Sequence, residues 1–369
     1  MTVSFVANSW PDEIMSLLSD LTIVIPSYNR QNYLTRQINY WKDYDVEVLI
    51  LDGSTVPNYK LQKSASRNIN IIHLPESIER RFGVAVAMIN TKYAAMLSDD
   101  EFFLPTSLAS SIKFLEDNPD YSACKGNAVG FRVDSVGSKC NGIQIYPELK
   151  GYKIANDTPS ARLIEHMAPY AMASLWAVHR TEVLKTGLAL AGRRPPYASA
   201  AAFEIQLSLI TAWFGKIKVL DELMWLRSYE NKNIWWSNGN LPIVDWLNHG
   251  KYKNETTQFI NDLTETLSAS VQEIRGALTA YADFCINREE SLSAFQQMKH
   301  LGVNFLPVSL TIFIRRIYAW LLNATNKSES TLFQATQALS ISGVFVDFDE
   351  ILKIEAVVKE FHRKHHQQS

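Results

Sequence analysis

The segment LTIVIPSYNR (residues 21–30) joins a short apolar, β-branched run to a polar turn. A run that is apolar on both faces is typical of a parallel strand covered by helices on each side of a sheet. Residues 31–43 follow, with Leu34, Ile38 and Trp41 about one turn apart, and this spacing predicts an amphipathic helix. Further apolar runs at 46–51, 69–73 and 93–97 alternate with helical patterns. The alternation predicts an α/β fold with a doubly wound, Rossmann-like sheet.

Three polar segments follow three of these predicted strands. They are residues 27–30, residues 52–54 and the acidic segment Ser98-Asp99-Asp100-Glu101. Ligands of doubly wound folds bind beyond the carboxyl ends of the strands, so we expect the three segments to face one crevice. Adjacent carboxylates near a core repel one another and need a positive partner. Mg²⁺ or Mn²⁺ carrying a diphosphate suits their hard oxygens, and the alternative interpretation is a solvated acidic turn.

The composition limits the classes of partner. The 369 residues include 36 Lys and Arg against 38 Asp and Glu, a net charge of −2 that argues against nucleic acid as a main partner. The three cysteines are far apart in the sequence and indicate a reducing compartment rather than a disulfide framework or a zinc site. The first 15 residues lack a signal-peptide pattern, and there is no apolar run of about 18 residues. We therefore expect a cytoplasmic protein.

The chain divides near residue 230. Before that point, strands are predicted at 121–133, 171–179 and 216–226, and helices at 82–92 and 199–214. Beyond residue 231 the periodicity is almost entirely helical after a loop. We predict an α/β nucleotide-binding domain over residues 1–230 and a helical C-terminal region over residues 231–369.

The turn after the first strand argues against two common nucleotide-binding motifs. It contains no Gly-x-Gly-x-x-Gly fingerprint, which disfavours a dehydrogenase, and the chain has no Walker sequence. Asp52 lies 26 positions after Pro26, where a dinucleotide-binding fold places its ribose-binding acid. The carboxylate of Asp52 can accept the imide N–H of uracil, and Tyr28 can stack on a base. The alternative for residues 52–54 is a tight turn without a ligand.

Taken together, TIVIPSYNR (22–30), LILDGS (49–54) and LSDDE (97–101) resemble, in order and spacing, the GT-A glycosyltransferases of family 2. The resemblance covers roughly residues 20–230. It implies that the first turn and Asp52 bind the base and ribose, and that the acidic motif binds the ribose and, through Mg²⁺ or Mn²⁺, the diphosphate of a sugar nucleotide. The nucleotide-binding residues implied are Pro26, Ser27, Tyr28, Arg30, Asp52 and Asp99.

The acidic motif departs from the family pattern, which usually reads Leu-Asp-x-Asp-Asp. Here Ser98 replaces the first aspartate and Glu101 the last, so two registers are open: Asp99-x-Glu101 and Ser98-x-Asp100. We predict Asp100 and Glu101 as metal ligands, with Asp99 close by. Arg81 and Arg227 can reach the diphosphate as fork-shaped donors, or they can be ordinary surface cations.

The resemblance also implies a base at the start of a helix, about a hundred residues after the metal motif. The corresponding stretch, AAAFEIQL (200–207), contains Glu204, which is the one acid between Glu182 and Asp221. An inverting transfer needs a carboxylate to deprotonate the acceptor hydroxyl, and a helix N-terminus keeps a carboxylate ionised. We predict Glu204 as the general base. The alternative is a first-turn glutamate that only supports its helix.

Two C-terminal features suggest where the acceptor binds. Trp235 and Trp236 can stack on sugar rings, or they can fill a seam between domains. Residues 305–322 are apolar with a basic pair and can lie on a membrane surface, where a lipid-linked acceptor would be found, although a buried helix is the alternative. A position at the inner face of the membrane, with peripheral contact, is the corresponding expectation.

The sequence thus predicts a metal-dependent hexosyltransferase that moves a sugar from a nucleotide-sugar donor, a UDP-sugar by preference. The acceptor is a carbohydrate or a lipid-linked glycan, in surface glycan or polysaccharide synthesis, with inversion as the default. A sugar-nucleotide pyrophosphorylase is one rival, although such enzymes usually open with a Gly-rich basic loop that residues 27–30 lack. A catalytically inactive GT-A scaffold is the other, favoured by Ser98, Glu101 and Ile205.

Overall fold

A computed structural model gives the fold of residues 12–134, 137–231, 241–304 and 330–366. One mixed sheet of ten strands forms its centre. The strands are β1 (Leu21–Ser27), β2 (Glu47–Asp52), β3 (Ile69–His73), β4 (Tyr93–Met96), β5 (Phe102–Phe103), β6 (Tyr121–Val133), β7 (Cys140–Gln144), β8 (Lys153–Ile154), β9 (Val178–Arg180) and β10 (Lys216–Ser228).

Helices cover the sheet and continue to the C-terminus. In the described ranges they are α1 (Asp12–Leu18), α2 (Gln31–Trp41), α3 (Tyr59–Ser64), α4 (Ile78–Ala85), α5 (Pro105–Asp117), α6 (Pro159–Met167), α7 (Thr181–Gly192), α8 (Ala201–Phe214), α9 (Ile243–Asn248), α10 (Lys253–Leu267), α11 (Val271–Asn304), α12 (Leu332–Ile341) and α13 (Phe348–His366). Two short 3₁₀ turns lie at Pro147–Leu149 and Gly250–Tyr252.

The strand order is β3-β2-β1-β4-β9-β6-β10-β5, with β7 beside β6 and β8 beside β10. The first four strands are parallel, and the register of β1 with β2 sets Ser27 opposite Asp52. Strand β9 runs antiparallel between β4 and β6, while β6 and β10 are parallel. The sheet is therefore doubly wound in its first half and mixed in its second, and polar segments leave the ends of β1 and β2 side by side.

The hydrophobic pattern of the first half explains why these elements form. Strand β1 is buried along nearly its whole length because helices cover both faces of the sheet. Helix α2 buries Leu34, Ile38 and Trp41, the stripe that the spacing indicates. Helix α5 begins with Pro105, which suits the first turn of a helix because its missing N–H would have no partner there.

Two predicted elements are wrong. Residues 82–92 were expected to form a helix, but α4 begins four residues earlier, at Ile78 after the Ser77 cap, and ends at Ala85. The expected strand over 171–179 is reduced to β9, the three residues Val178–Arg180. Ala171 and Ala173 are buried, so this apolar run fills the core as irregular chain, and periodicity alone does not distinguish such a run from a strand.

The described part of the C-terminal region is helical, as expected, and packs against the α/β part. A Cβ atom on Gly142 of β7 would lie 2.4 Å from the Cβ of Ala335 on α12, so the strand and the helix touch closely. At the other end, the ring of Phe361 on α13 lies 4.8 Å from that of Tyr33 on α2. Helix α13 therefore lies beside α2, the helix that follows β1. The domain boundary near residue 230 stays a prediction.

Across the four described ranges, no helix is both long and apolar enough to cross a bilayer. Trp235, Trp236 and the apolar segment 305–322 lie outside the described residues.

Candidate functional site

The acidic segment lies at the carboxyl end of β4, and one arginine contacts its two aspartates. The Nη1 atom of Arg30 lies 2.7 Å from Oδ1 of Asp99, and Nη2 lies 2.7 Å from Oδ2 of Asp100. The exposed fraction of the side chain is 4 % for Asp99 and 14 % for Asp100. Burial raises the pKa of Asp99 although Arg30 and Ser27 oppose this, and the two carboxylates raise the pKa of the Arg30 guanidinium. The two aspartates thus converge on one cation.

The turn after β1 is tied to the same segment. The hydroxyl of Ser27 donates to Oδ2 of Asp99 over 2.6 Å. Asn29 has a φ of 54°, in the left-handed region that asparagine tolerates, and this conformation reverses the chain before α2. The Gln37 amide then donates to the carbonyls of Asp99 and Glu101, at 3.1 Å and 2.7 Å. Strand β1, helix α2 and the acidic segment therefore fix one another.

The turn after β2 binds the side chain of its own aspartate. The Ser54 N–H donates to Oδ1 of Asp52 over 2.9 Å, and the Ser54 hydroxyl also donates to that oxygen. The second oxygen, Oδ2, has a longer contact with the Gln31 amide at 3.4 Å. One carboxylate oxygen is therefore held by the turn and the other is weakly engaged.

Arg81 lies beneath the same two strand ends. Its Nη1 donates to the carbonyls of Ser27 and Leu51, both at 2.6 Å, and the residue is buried. A Cβ atom on Gly53 would lie 2.6 Å from the Arg81 Cζ, so a side chain at this position would displace the guanidinium. The guanidinium clamps the ends of β1 and β2, and direct contact of Arg81 with a diphosphate stays a prediction.

Glu101 points away from the Asp99–Asp100 pair, toward β10. Its Oε2 accepts the indole N–H of Trp225 over 2.9 Å, and burial raises the pKa of Glu101 to about 8. The guanidinium of Arg227 lies 5.8 Å from the Trp225 ring and opposes that rise in pKa. Arg227 is thus placed near the motif, over an aromatic cluster that includes Tyr146 at 5.5 Å.

Lys125 connects the acidic motif to the predicted base. The side chain is fully buried in β6, its Nζ donates to the Met172 carbonyl over 2.8 Å, and it lies 4.5 Å from the Trp225 ring centre. Burial lowers the pKa of Lys125 to about 7, while the charges of Glu101 and Glu204 oppose this. The charge of this buried lysine therefore acts on both carboxylates.

Glu204 lies in the first turn of α8 and is half-buried. The Tyr170 hydroxyl donates to its Oε1 over 2.6 Å. Burial raises the pKa of Glu204, and the bond from Tyr170 and the charge of Lys125 act in the opposite direction. A raised pKa makes a carboxylate a stronger proton acceptor, and the bond from Tyr170 fixes its orientation.

A family comparison decides between the classes of enzyme. Residues 22–174 match the family model described as glycosyl transferase family 2. The chain carries a glycosyltransferase domain of the family-2, GT-A type. The matched range begins inside β1 and includes the turns after β1 and β2 and the whole acidic segment. No curated protein matches the chain.

The solved structures that resemble the glycosyltransferase domain include TarS of S. aureus. The structure of residues 1–349 in complex with UDP-GlcNAc is 16 % identical, with 78 % of this chain and 76 % of that chain covered and a TM-score of 0.47. The UDP complex is 15 % identical, with 95 % and 92 % covered and a TM-score of 0.44. Because both scores lie below 0.5, neither similarity carries an inference about this chain.

Several residues around the glycosyltransferase site cannot be recognised from the sequence, because their function depends on long-range contacts. Trp225 and Tyr170 are ordinary aromatic residues until the fold brings them to Glu101 and Glu204. Gln37 and Arg36 look like surface positions of a helix but are buried. Lys125 carried a signal, since it is the one charged residue in the otherwise uncharged run 121–131 of a buried strand.

Family-2 GT-A enzymes are commonly dependent on a divalent metal. In this domain Asp99 and Asp100 each present a carboxylate oxygen to the guanidinium of Arg30, and hard cations prefer oxygens of this kind. Within the described residues, no group of three or more His, Cys, Asp or Glu side chains is arranged to hold a metal ion. The aspartate pair fits a divalent ion that takes its other ligands from a diphosphate, as Mg²⁺ usually does.

Proposed function

We propose that the protein transfers a sugar from a UDP-sugar to a carbohydrate-type acceptor in surface glycan or polysaccharide synthesis. One observation carries the proposal. The carboxylates of Asp99 and Asp100 converge on one cation, beside Ser27 and Asp52, at the carboxyl ends of parallel strands. This is where a doubly wound sheet binds a nucleotide, and a pair of acids there suits a charged diphosphate held through a cation.

The donor nucleotide is assigned to the turns after β1 and β2. Asp52 has one weakly engaged carboxylate oxygen that can accept the imide N–H of uracil. Tyr28, two residues after Pro26 in the turn that follows β1, is 54 % exposed, and its ring can stack on the base. On the diphosphate side, Arg30 and Arg227 supply guanidinium donors, and a planar fork of this kind suits phosphate oxygens.

We assign Mg²⁺ or Mn²⁺ to Asp100, with Asp99 beside it. Oδ2 of Asp100 accepts from Arg30 and from the Asn231 amide at 3.1 Å, so an ion competes with these donors for the same oxygen. Glu101 is kept as the alternative ligand, although its Oε2 accepts from Trp225. When bound, a divalent ion offsets the negative charge that develops on the departing nucleoside diphosphate.

The protein groups on the acceptor side perform the proton transfer. Glu204 accepts the proton of the acceptor hydroxyl as that oxygen attacks the anomeric carbon, and Tyr170 holds the carboxylate in place. A single displacement of this kind, with a carboxylate base and no covalent intermediate, inverts the configuration of the sugar. Breaking the sugar–phosphate bond sends its electron pair to the diphosphate, where Arg30 and Arg227 receive the charge.

We further propose a carbohydrate or lipid-linked glycan as the acceptor and the cytoplasm, at the inner membrane face, as the location. No disulfide joins Cys124, Cys140 and Cys285 in the part of the chain that the structure describes, which supports a reducing compartment. The membrane contact rests on the composition of residues 305–322.

Thermal unfolding with nucleotides tests the donor and the metal together. UDP plus Mn²⁺ is expected to raise the midpoint by several degrees, more than either alone and more than GDP plus Mn²⁺, because a ligand that binds the native state stabilises it. Asp100→Asn should lose the effect of the metal, while the exposed Asp117→Asn serves as a control. Slow release of UDP from a UDP-sugar should accompany binding. Absence of both metal-coupled binding and donor hydrolysis would identify an inactive scaffold, and pyrophosphate-dependent formation of a nucleoside triphosphate would identify a pyrophosphorylase.

A further inference from the structure

A buried chain of hydrogen bonds ends on Glu204. Tyr152 contacts Nδ1 of His166 at 2.6 Å, and Nε2 of His166 contacts the Ser174 hydroxyl at 3.4 Å. The Ser174 hydroxyl lies 2.7 Å from that of Ser208, which lies 3.2 Å from the Tyr170 hydroxyl. Tyr170 donates to Glu204 over 2.6 Å.

The members of this chain come from separate elements. His166 lies on α6, and Ser174 and Tyr170 lie in the irregular segment between α6 and β9. Ser208 lies one turn after Glu204 on α8, so both side chains point to the same face of the helix. His166, Ser174 and Ser208 have no exposed surface. These polar groups come from separate parts of the chain, and all of them have hydrogen-bond partners. They therefore form a connected polar network in an otherwise apolar interior.

The carboxylate sets the direction of the chain. An ionised Glu204 can only accept, so Tyr170 donates to it, and the Tyr170 oxygen then accepts from Ser208. Ser208 in turn accepts from Ser174, and Ser174 accepts from the Nε2–H of His166. His166 is neutral because burial lowers its pKa to about 3, and its Nδ1 accepts from Tyr152. Every donor in the chain points toward Glu204.

We propose that Tyr170 is a positioning residue for Glu204, and that Ser208, Ser174, His166 and Tyr152 fix the direction of its hydroxyl proton. The proposal rests on the proposed role of Glu204 as the general base. A donor held toward the carboxylate keeps it ionised and fixes the orientation of its free oxygen toward the acceptor. Aligned hydrogen bonds polarise one another, so the distant members strengthen the bond from Tyr170.

Two other titratable groups face Glu204, Lys125 and Tyr281. Lys125 approaches from β6 and stabilises the ionised form. Tyr281 on α11 packs against Tyr170, with 5.1 Å between ring centroids, and its pKa is raised by burial, so it stays neutral. Since Lys125 remains in place when Tyr170 is changed, a Tyr170 variant isolates the contribution of the hydrogen bond.

The main test is the pH profile of Tyr170→Phe in the full-length protein. Loss of a bond to the charged form raises the pKa of Glu204, so the acid limb of the kcat/KM profile should move up by about one pH unit. We expect kcat to fall about tenfold with little change in the KM for the donor. Ser174→Ala should move the limb in the same direction by less.

Tyr121→Phe is the matched control, since Tyr121 packs on Phe114 near the far end of α8 and should leave the profile unchanged. Thermal unfolding of each variant checks that it is folded. An unmoved acid limb in a folded Tyr170→Phe protein overturns the positioning role. If Glu204→Gln keeps normal turnover, the proposed base fails instead, which separates the two conclusions.

A second measurement needs no substrate. Long-range ¹H–¹⁵N correlation spectra distinguish the two neutral tautomers of histidine, and the His166 signals are identified by their loss in His166→Gln. The chain direction requires the Nε2–H tautomer at pH 7. Observation of the Nδ1–H tautomer or of an imidazolium would reverse the chain and refute the proposal.

Discussion

The carboxylates in the two acidic regions of the site have different kinds of partner. Asp99 and Asp100 face Arg30 through two contacts of 2.7 Å. Glu101 and Glu204 instead accept neutral donors, the Trp225 indole and the Tyr170 hydroxyl, with Lys125 between them. In the first region a cation faces the acids and can be exchanged for another cation, whereas in the second the acids accept from neutral donors and burial raises the pKa of both. The difference matches the two tasks that the transfer requires, binding a diphosphate and moving a proton.

Arginine and burial also act on the pKa values in opposite directions. Next to the first region, Arg36 holds the pKa of the buried Glu230 at about 2, with a contact of 2.8 Å. In the second region, burial raises the pKa of Glu101 to about 8. Ionisation of Glu230 therefore stabilises the fold, whereas ionisation of Glu101 destabilises it.

The largest effect is expected at Glu204. Glu204→Gln removes the proposed proton acceptor and should lower kcat by about 10² to 10⁴-fold while UDP affinity is kept. Initial-rate kinetics and nucleotide titration measure the two quantities. Glu182→Gln, an exposed first-turn glutamate of α7, is the control and should behave as the wild type. Near-normal turnover of Glu204→Gln would leave this acid with a purely structural role.

The next largest effect should come from the buried ion pair beside the first region. The side chains of Arg36 and Glu230 are 1 % and 0 % exposed. Glu230→Gln leaves a buried guanidinium without its charge partner and should lower the free energy of unfolding by about 3 kcal/mol. The double variant Arg36→Met/Glu230→Leu should recover much of that loss. Urea unfolding of the wild type, Arg36→Met, Glu230→Leu and the double variant gives the coupling energy, and a coupling near zero would contradict the pairing.

The same pair sets an acid limit for stability. Because the folded pKa of Glu230 is about 2 and its ordinary value is 4.5, the pair contributes fully above pH 4.5. That contribution should be lost as the pH falls from 4.5 toward 2. Urea unfolding across this range should therefore show a steeper loss in the wild type than in Glu230→Gln.

Glu101 should show the opposite dependence on pH. Its folded pKa of about 8 exceeds the ordinary 4.5, so the wild type loses stability as the pH rises from 4.5 to 8. Glu101→Gln keeps an acceptor for Trp225 but cannot ionise. Between pH 5 and pH 8, the free energy of unfolding of Glu101→Gln should therefore rise relative to that of the wild type by roughly 1–3 kcal/mol. A constant difference between the two proteins across this range would show that Glu101 does not titrate there.

The smallest expected effect tests competition between Arg30 and the metal. Arg30→Met frees the carboxylates of Asp99 and Asp100, so Mn²⁺ should bind about tenfold more tightly, which is about 1.4 kcal/mol. The added thermal stabilisation by Mn²⁺ should exceed that of the wild type and disappear in Arg30→Met/Asp100→Asn. Weaker Mn²⁺ binding to Arg30→Met would show that the guanidinium supports the metal site instead of competing with it.

Local patterns were sufficient for most of the first half of the fold. Strands β1 and β4 lie where apolar runs predict them, because a covered parallel strand leaves a continuous apolar signal. The segment that contains Ala171 was wrongly predicted to be a strand for the same reason, because a buried run that does not pair in a sheet has the same apolar pattern. The roles assigned to Glu204, Asp100 and the nucleotide-binding residues stay predictions until the experiments above are made.

The sequence by itself determined the parallel first half of the sheet and the polar segments that follow its strands. These follow from short-range spacing, because strands and turns are encoded by neighbouring residues. Only the tertiary structure decided which group contacts each acid. Arg30 contacts Asp99 and Asp100, Trp225 donates to Glu101, and Tyr170 donates to Glu204. Trp225 lies 124 positions from Glu101, and no local pattern carries a contact at that separation. Charge and burial at the site are properties of the packed chain, and the different roles proposed for the acids rest on them.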